Sequence, residues 1–147
     1  MMEKIGRHRW GVLLVIWTIA IWGSRLRNAL DDDELQGGER FSAVFIAAGF
    51  VVLAIVFAVA LARSASWRWP AVVILGAAGI VRWTLRGPVI ALSDEFETGF
   101  KVVHTVLWLV TVVLSIFALR ETARVLGDAG GADERYDATH GSARFRN

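Results

Sequence analysis

The residues best suited to chemistry in this chain of 147 residues are basic and lie in two short groups. Arg82 and Arg86 are four residues apart, and Lys101 and His104 are three residues apart. At these spacings each pair shares one face of a helix. Arginine and lysine donate hydrogen bonds to phosphate and carboxylate, and histidine can supply another donor. The four residues therefore predict a pocket for an anionic group such as a lipid phosphate or carboxylate.

A structural interpretation of the same residues remains open. Arg82 could extend its side chain toward water and pair with the loop that follows. His104 could be an ordinary packed or hydrogen-bonded side chain. The candidate partners for such ion pairs are the loop carboxylates, Asp94, Glu95 and Glu97.

A third interpretation is proton or ion passage along His104, Thr111 and Ser115. No acidic residue lies within any predicted membrane span of this sequence. An acidic group is what would accept a proton or hold a cation inside a membrane. Passage is therefore the weakest of the three interpretations.

Catalytic signatures are missing from the sequence. There is no cysteine, so thiol nucleophiles and cysteine-bound metals are excluded. We find no glycine-rich phosphate loop, no histidine pair at metal spacing and no Ser-His-acid set that could meet at one depth. We therefore predict no catalytic residue, no metal and no cofactor, and an intramembrane enzyme ranks third among the function classes.

The composition indicates which solvent surrounds these residues. Hydrophobic residues make up 55% of the chain and charged residues 20%. Soluble domains average about 45–50% and about 25%. The excess of apolar residues predicts a membrane protein.

Four segments could each form a spanning helix, for which about 20 mostly apolar residues are needed. We expect an all-α, polytopic bundle of four transmembrane helices in residues 1–126, followed by a disordered tail over 127–147 that is too polar to order itself. The predicted spans are 10–30, 41–62, 70–86 and 101–120.

The first of these spans is the weakest. Its apolar run covers only residues 10–23, so the helix must continue through Arg25 and Arg27, whose side chains would extend to water. A signal peptide is the alternative. The exit from the run, residues 21–25, lacks the small-x-small cleavage pattern, which favours a true span.

The distribution of lysine and arginine predicts the orientation. Ten of the 16 lie at the two termini and in the turn near residues 63–69, and the opposite side carries six together with eight acidic residues. Both termini should be cytoplasmic.

Small and polar residues suggest how the helices pack. Ala54, Ala58 and Ala62 share a face of the second span and could pack against the small residues of the third, GAAG at positions 76–79. A homodimer through the alanine face is the alternative. The fourth span carries its less apolar residues on a single face that should meet the polar face of the third: Lys101, His104, Trp108, Thr111, Ser115 and Ala118.

The segment at residues 100–108, FKVVHTVLW, resembles the last helix of uncharacterised small four-helix integral membrane proteins of high-GC Gram-positive (actinobacterial) type. The Ala, Val, Gly and Arg usage is similar too. The resemblance implies a bacterial plasma-membrane protein and assigns no functional residue.

We therefore expect a non-catalytic accessory or scaffold subunit of a plasma-membrane assembly. The alternative is a small carrier or a lipid- or anion-binding protein that uses the outer Arg/Lys/His pocket. The expected partners are the lipid bilayer, another membrane protein or a second copy, and an anionic lipid. Nucleic acid is not expected, because the net charge of +2 is dispersed along the chain.

Overall fold

The computed structural model describes the backbone of residues 8–63, 66–94 and 96–141. Within these ranges it describes side chains as far as residue 127. Four helices account for nearly all of these residues. They are α1 (Arg9–Asp31), α2 (Gly37–Ala62), α3 (Arg68–Leu92) and α4 (Thr98–Gly141). The prediction of an all-α chain with four helices is confirmed.

Three of the helices in the described part of the chain are long and apolar enough to cross a membrane: α2, α3 and the first 30 residues of α4. Only about a fifth to a third of each apolar stretch is buried inside the bundle. The remaining surface includes large exposed side chains such as Phe45, Ile74, Leu85 and Leu109. Such a surface suits hydrocarbon rather than water. The remaining helix, α1, is not among these candidate membrane spans.

The order of the helices around the bundle follows the chain. The neighbouring pairs are α1–α2, α2–α3, α3–α4 and α1–α4, and the connections between consecutive helices are short. Short connections make neighbours antiparallel, which gives an up-down-up-down arrangement. At the first connection Gly37 has a φ of +54°, a backbone conformation that favours glycine.

The core is formed mainly by α1, α2 and α3. Leu14, Phe57, Val72 and Leu75 are almost completely buried. The ring of Trp22 stacks on Phe50 with centroids 4.1 Å apart. Alanines at positions 47, 54 and 60 are buried beside these rings and let α2 approach closely.

The glycines of α3 pack differently from the sequence expectation. A Cβ on Gly76 would meet Ser115, and one on Gly79 would meet Thr111, so both face α4 and not the alanines of α2. Gly87 lies against Trp108 in the same way. The predicted contact between α2 and α3 is present, and Ala54, Ala58 and Ala78 pack in one cluster. The glycines do not take part in it, because positions 76, 79, 83 and 87 form one buried face of α3 that points at α4.

The helix ends also differ from the predicted ones. α3 continues six residues past position 86 and includes Pro88, which has no backbone N–H to donate to the carbonyl of residue 84. The backbone of α4 is helical to Gly141, well into the segment for which composition predicts a disordered tail. Residues 142–147 lie outside the described residues. Mobility of the predicted tail, residues 127–147, stays a prediction, because a projecting helix can also be mobile.

Candidate functional site

The centre of the candidate site is Arg25 of α1, whose side chain reaches across one end of the bundle. Its Nη2 donates to Nε2 of His104 in α4 at 2.9 Å. Its guanidinium carbon lies 5.7 Å from the ring centroid of Trp22 and 5.6 Å from that of Trp83 in α3. These are cation–π distances. Arg25 therefore joins α1, α3 and α4 at a single point.

The hydrogen bonds of His104 define the roles of its two ring nitrogens in this arrangement. Arginine has no acceptor, so Nε2 of His104 must accept the hydrogen bond from Arg25. Nδ1 lies 2.9 Å from the carbonyl oxygen of Phe100. Because a carbonyl oxygen can only accept, Nδ1 must donate this hydrogen bond. In this pair of contacts Nε2 is the acceptor and Nδ1 the donor. Its ring is buried and packs on Phe100 at a centroid distance of 3.9 Å.

Two further guanidinium groups, on α3, lie in electrostatic range of Arg25. Arg82 is half-buried, Arg86 is exposed, and both act electrostatically on Arg25. Like charges at this range repel, and the repulsion is stronger beside a low-dielectric bundle than in water. We call Arg25, Arg82 and Arg86 the arginine cluster.

No carboxylate of the described residues offsets the arginine cluster. The ion pair found in this part of the chain joins Arg27 and Asp31 at 3.4 Å, and both side chains are exposed. Asp94 and Glu97 form no ion pair with the described residues, and Glu95 lies outside them. The interpretation in which Asp94 pairs with Arg82 is not realised in this structure.

The structure brings together three of the four predicted anion-binding residues. Arg82 and Arg86 act on Arg25, and His104 binds it. Lys101 lies one turn before His104 in α4 and is half-buried, with no ion pair among the described residues.

The face that α3 turns toward α4 is one residue away from the predicted one. Trp83 and Gly87 are buried there, whereas Arg82 and Arg86 lie beside that face. A shift of one residue is a rotation of about 100° around a helix.

Sequence reasoning missed Arg25, although a signal for it was present. The buried positions of α1 are 11, 14, 15, 18, 22 and 29. Position 25 continues the same spacing of three and four residues, so it belongs to the inward face. Arg25 is nevertheless exposed, so the predicted extension toward water and the contact with His104 are compatible.

Two indole groups near the cluster carry buried donors. Nε1 of Trp83 and Nε1 of Trp108 have no hydrogen-bond partner among the described residues. The ring of Trp83 lies 6.1 Å from His104 and beneath Arg25. An indole nitrogen can only donate. This end of the bundle is therefore rich in donors and poor in acceptors.

The buried hydroxyl groups farther along α4 do not form a continuous path. Thr111 donates to the carbonyl of Leu107 at 2.7 Å, and Thr122 donates to Ala118 at 2.8 Å. The hydrogens of these two threonines are thus held by their own helix, whereas Ser115 makes no hydrogen bond with the described residues, so no hydrogen bond links it to Thr111 or His104. The arrangement does not favour passage of protons along this face.

The opposite end of the bundle contains a carboxylate in a defined role. Oε2 of Glu121 accepts hydrogen bonds from the backbone N–H groups of Trp10 and Gly11, each at 3.0 Å. These N–H groups belong to the first turn of α1, which has no partner for them within the helix. Nearby, Arg68 donates to His8 at 3.2 Å.

The described residues form a helical bundle with three candidate membrane spans and, at the arginine cluster, an end rich in hydrogen-bond donors. No protein-family model matches the chain, and no curated protein or solved structure matches it either. Within the described residues, no group of three or more acidic, histidine or cysteine side chains could hold a metal ion. The geometry of the cluster therefore carries the functional argument.

Proposed function

We propose that the chain is a multi-pass membrane protein that binds an anionic, phosphate-bearing group at the arginine cluster. The observation that carries this proposal is the contact of Arg25 with His104, with Arg82 and Arg86 in electrostatic range of Arg25 and no ion pair to these arginines among the described residues. An anionic group of the bilayer surface would supply the missing negative charge.

The proposal extends to α1, which would cross the membrane with the other three helices. Gly11 packs against Phe57 near the end of α2, and Trp22 stacks on Phe50 one to two turns earlier in α2. α1 thus runs alongside a helix that is apolar enough to span. Its 23 residues correspond to roughly 34 Å, which matches the hydrocarbon thickness of about 30 Å.

Energetic considerations support an anionic ligand. An arginine at the centre of a spanning helix costs roughly 2.5–3.5 kcal/mol on insertion scales and less toward its ends, and repulsion between neighbouring guanidinium groups adds to that cost. A hydrogen bond to a charged group contributes about 1.5–3 kcal/mol. A phosphate offers several acceptor oxygens and would therefore offset a large part of this cost.

The chemistry of the cluster also favours a net anionic group over a zwitterionic one. The described residues around the cluster offer no carboxylate that would accept an ammonium group. A phosphodiester without a neighbouring ammonium group suits such a site best. The same chemistry could come from a lipid headgroup or from free phosphate, so the test includes both.

The experiment is native mass spectrometry of the gently solubilised protein. We expect the wild type to retain an anionic phospholipid, and Arg25→Gln and Arg82→Gln to lose most of it. Arg27→Gln is the matched control, because Arg27 lies in the same helix and is exposed beside Asp31. A wild type that carries no lipid but binds added inorganic phosphate would identify free phosphate as the ligand. Equal lipid retention by wild type and Arg25→Gln would reject the proposal.

We propose the bacterial plasma membrane as the location, with both termini on the cytoplasmic side. The excess of lysine and arginine at the termini supports this orientation. The arginine cluster would then face the outer leaflet. We propose no catalytic activity, because the cluster consists of donors and contains no nucleophile.

A role as an accessory or scaffold subunit is the second candidate, and the length of α4 favours it. The helical backbone continues for 21 residues past Arg120, where the predicted span ends. Glycines at positions 127, 130 and 131 weaken a helix in water, so contact with another protein would help to maintain it. Chemical cross-linking in native membranes tests this role, and recovery of the chain only as a monomer would count against it.

A further inference from the structure

A small cavity lies inside the bundle. It is lined by residues of all four helices, among them Thr18 of α1, Phe50 of α2, Gly79 of α3, and Thr111 and Ser115 of α4. About 10 Å³ of it is open to the centre of a water molecule. This volume is close to the lower limit for one water, which is about 10–15 Å³.

One of the polar groups that line the cavity has no partner. Ser115 is completely buried, and its Oγ makes no hydrogen bond with the described residues. A buried hydroxyl without a partner costs about 1–3 kcal/mol. Ser115 therefore has both a hydrogen to donate and lone pairs to share.

The other two hydroxyl groups have complementary requirements. Thr18 already donates to the carbonyl of Leu14 at 2.8 Å, and Thr111 donates to that of Leu107 at 2.7 Å. Thr111 also accepts from the indole nitrogen of Trp17 at 3.0 Å. A hydroxyl oxygen has two lone pairs, so each threonine keeps at least one for a further donor.

We propose that this cavity binds a single water molecule held by Ser115, Thr18 and Thr111. The water would accept the hydrogen of Ser115 and donate its own two hydrogens to the two threonine oxygens. This assignment uses every group once, within the usual range of two to four partners for a buried water. The site is independent of the arginine cluster and of the proposed function.

Gly79 explains why the cavity stays open. A Cβ at this position would lie 3.3 Å from Cγ2 of Thr111, at the wall of the cavity. A methyl group there would reduce the space available to a water. A Cβ on Gly76, which does not line the cavity, would make ordinary contacts with Ser115 and Leu119.

The test is a crystal structure at a resolution that shows ordered water, combined with water-selective NMR at the Ser115 amide. The wild type should show one water within hydrogen-bond distance of the three hydroxyl groups. Ser115→Ala and Thr18→Val should lose it. The matched control is Thr122→Val, because Thr122 is equally buried and bonded to its own helix but lies outside the cavity.

Two results would overturn the proposal. One is a wild-type structure in which Ser115 donates to the carbonyl of Thr111 and no water is present. The other is a water that persists in Ser115→Ala. Gly79→Ala gives a second measurement, because it should displace the water while Gly76→Ala retains it.

Discussion

The two ends of the bundle treat charge in opposite ways. At the end formed by the start of α1 and residue 121, a carboxylate lies on the first turn of α1 and accepts two backbone hydrogen bonds. At the other end, three guanidinium groups approach one another without a carboxylate among the described residues. The first end is satisfied by the chain itself. At the second end we propose that an external anion supplies the negative charge, and this difference is the basis of the proposed function.

The first end should be the more important for stability. Glu121→Ala removes both hydrogen bonds and the favourable interaction of a negative charge with the start of a helix. We expect the free energy of unfolding to fall by about 2 kcal/mol. Reversible denaturation in detergent measures it. Arg124→Ala, an exposed change one turn further along α4, serves as the control. Equal stability of Glu121→Ala and the control would show that this carboxylate does not hold α1.

Placing a carboxylate at the second end should make the two ends alike. Arg82→Glu puts a negative charge beside Arg25 and so removes the need for an external anion. We expect the protein to remain folded and its affinity for an anionic lipid to fall at least about tenfold, equivalent to about 1.4 kcal/mol. Lipid titration followed by native mass spectrometry gives the affinity. An unchanged affinity would contradict the role of the cluster.

His104 should affect the second end through the position of Arg25. His104→Phe removes the acceptor of the 2.9 Å hydrogen bond, whereas His104→Gln retains an acceptor. We expect His104→Phe to lower stability by about 1 kcal/mol and to weaken lipid binding, with partial recovery in His104→Gln. Thermal unfolding with and without lipid separates the two effects. If both variants behave like the wild type, His104 does not position Arg25.

The smallest effect is expected at the exposed ion pair. Arg27→Gln breaks the contact with Asp31 at 3.4 Å, where both side chains are largely in solvent. Stability should change by less than about 0.5 kcal/mol, and lipid retention should not change. A loss of lipid similar to that of Arg25→Gln would mean that overall charge, rather than the geometry of the cluster, controls binding.

The sequence predicted the larger features of this molecule because they depend on local patterns. Hydrophobic length placed the four helices, and a spacing of three and four residues identified the inward face of α4, including His104, Thr111 and Ser115. These signals are contained within single segments. They need no knowledge of how the segments meet.

Features that depend on contacts between helices were harder to predict. The glycines of α3 could have faced either neighbour, and only the assembled bundle shows that they face α4. Arg25 was interpreted from the length of its apolar run, although its bond to His104 joins residues that are 79 positions apart. The water site likewise depends on hydroxyl groups from two helices. Only packing brings such groups together.

The most direct test of the central claim is a lipid-binding titration of the delipidated protein in mixed micelles. Phosphatidylglycerol should bind to the wild type at least tenfold more tightly than phosphatidylcholine, and Arg25→Gln should abolish that preference while Arg27→Gln preserves it. This preference corresponds to about 1.4 kcal/mol or more. Equal binding of the two lipids by the wild type would contradict the claim that the arginine cluster is completed by an external anion.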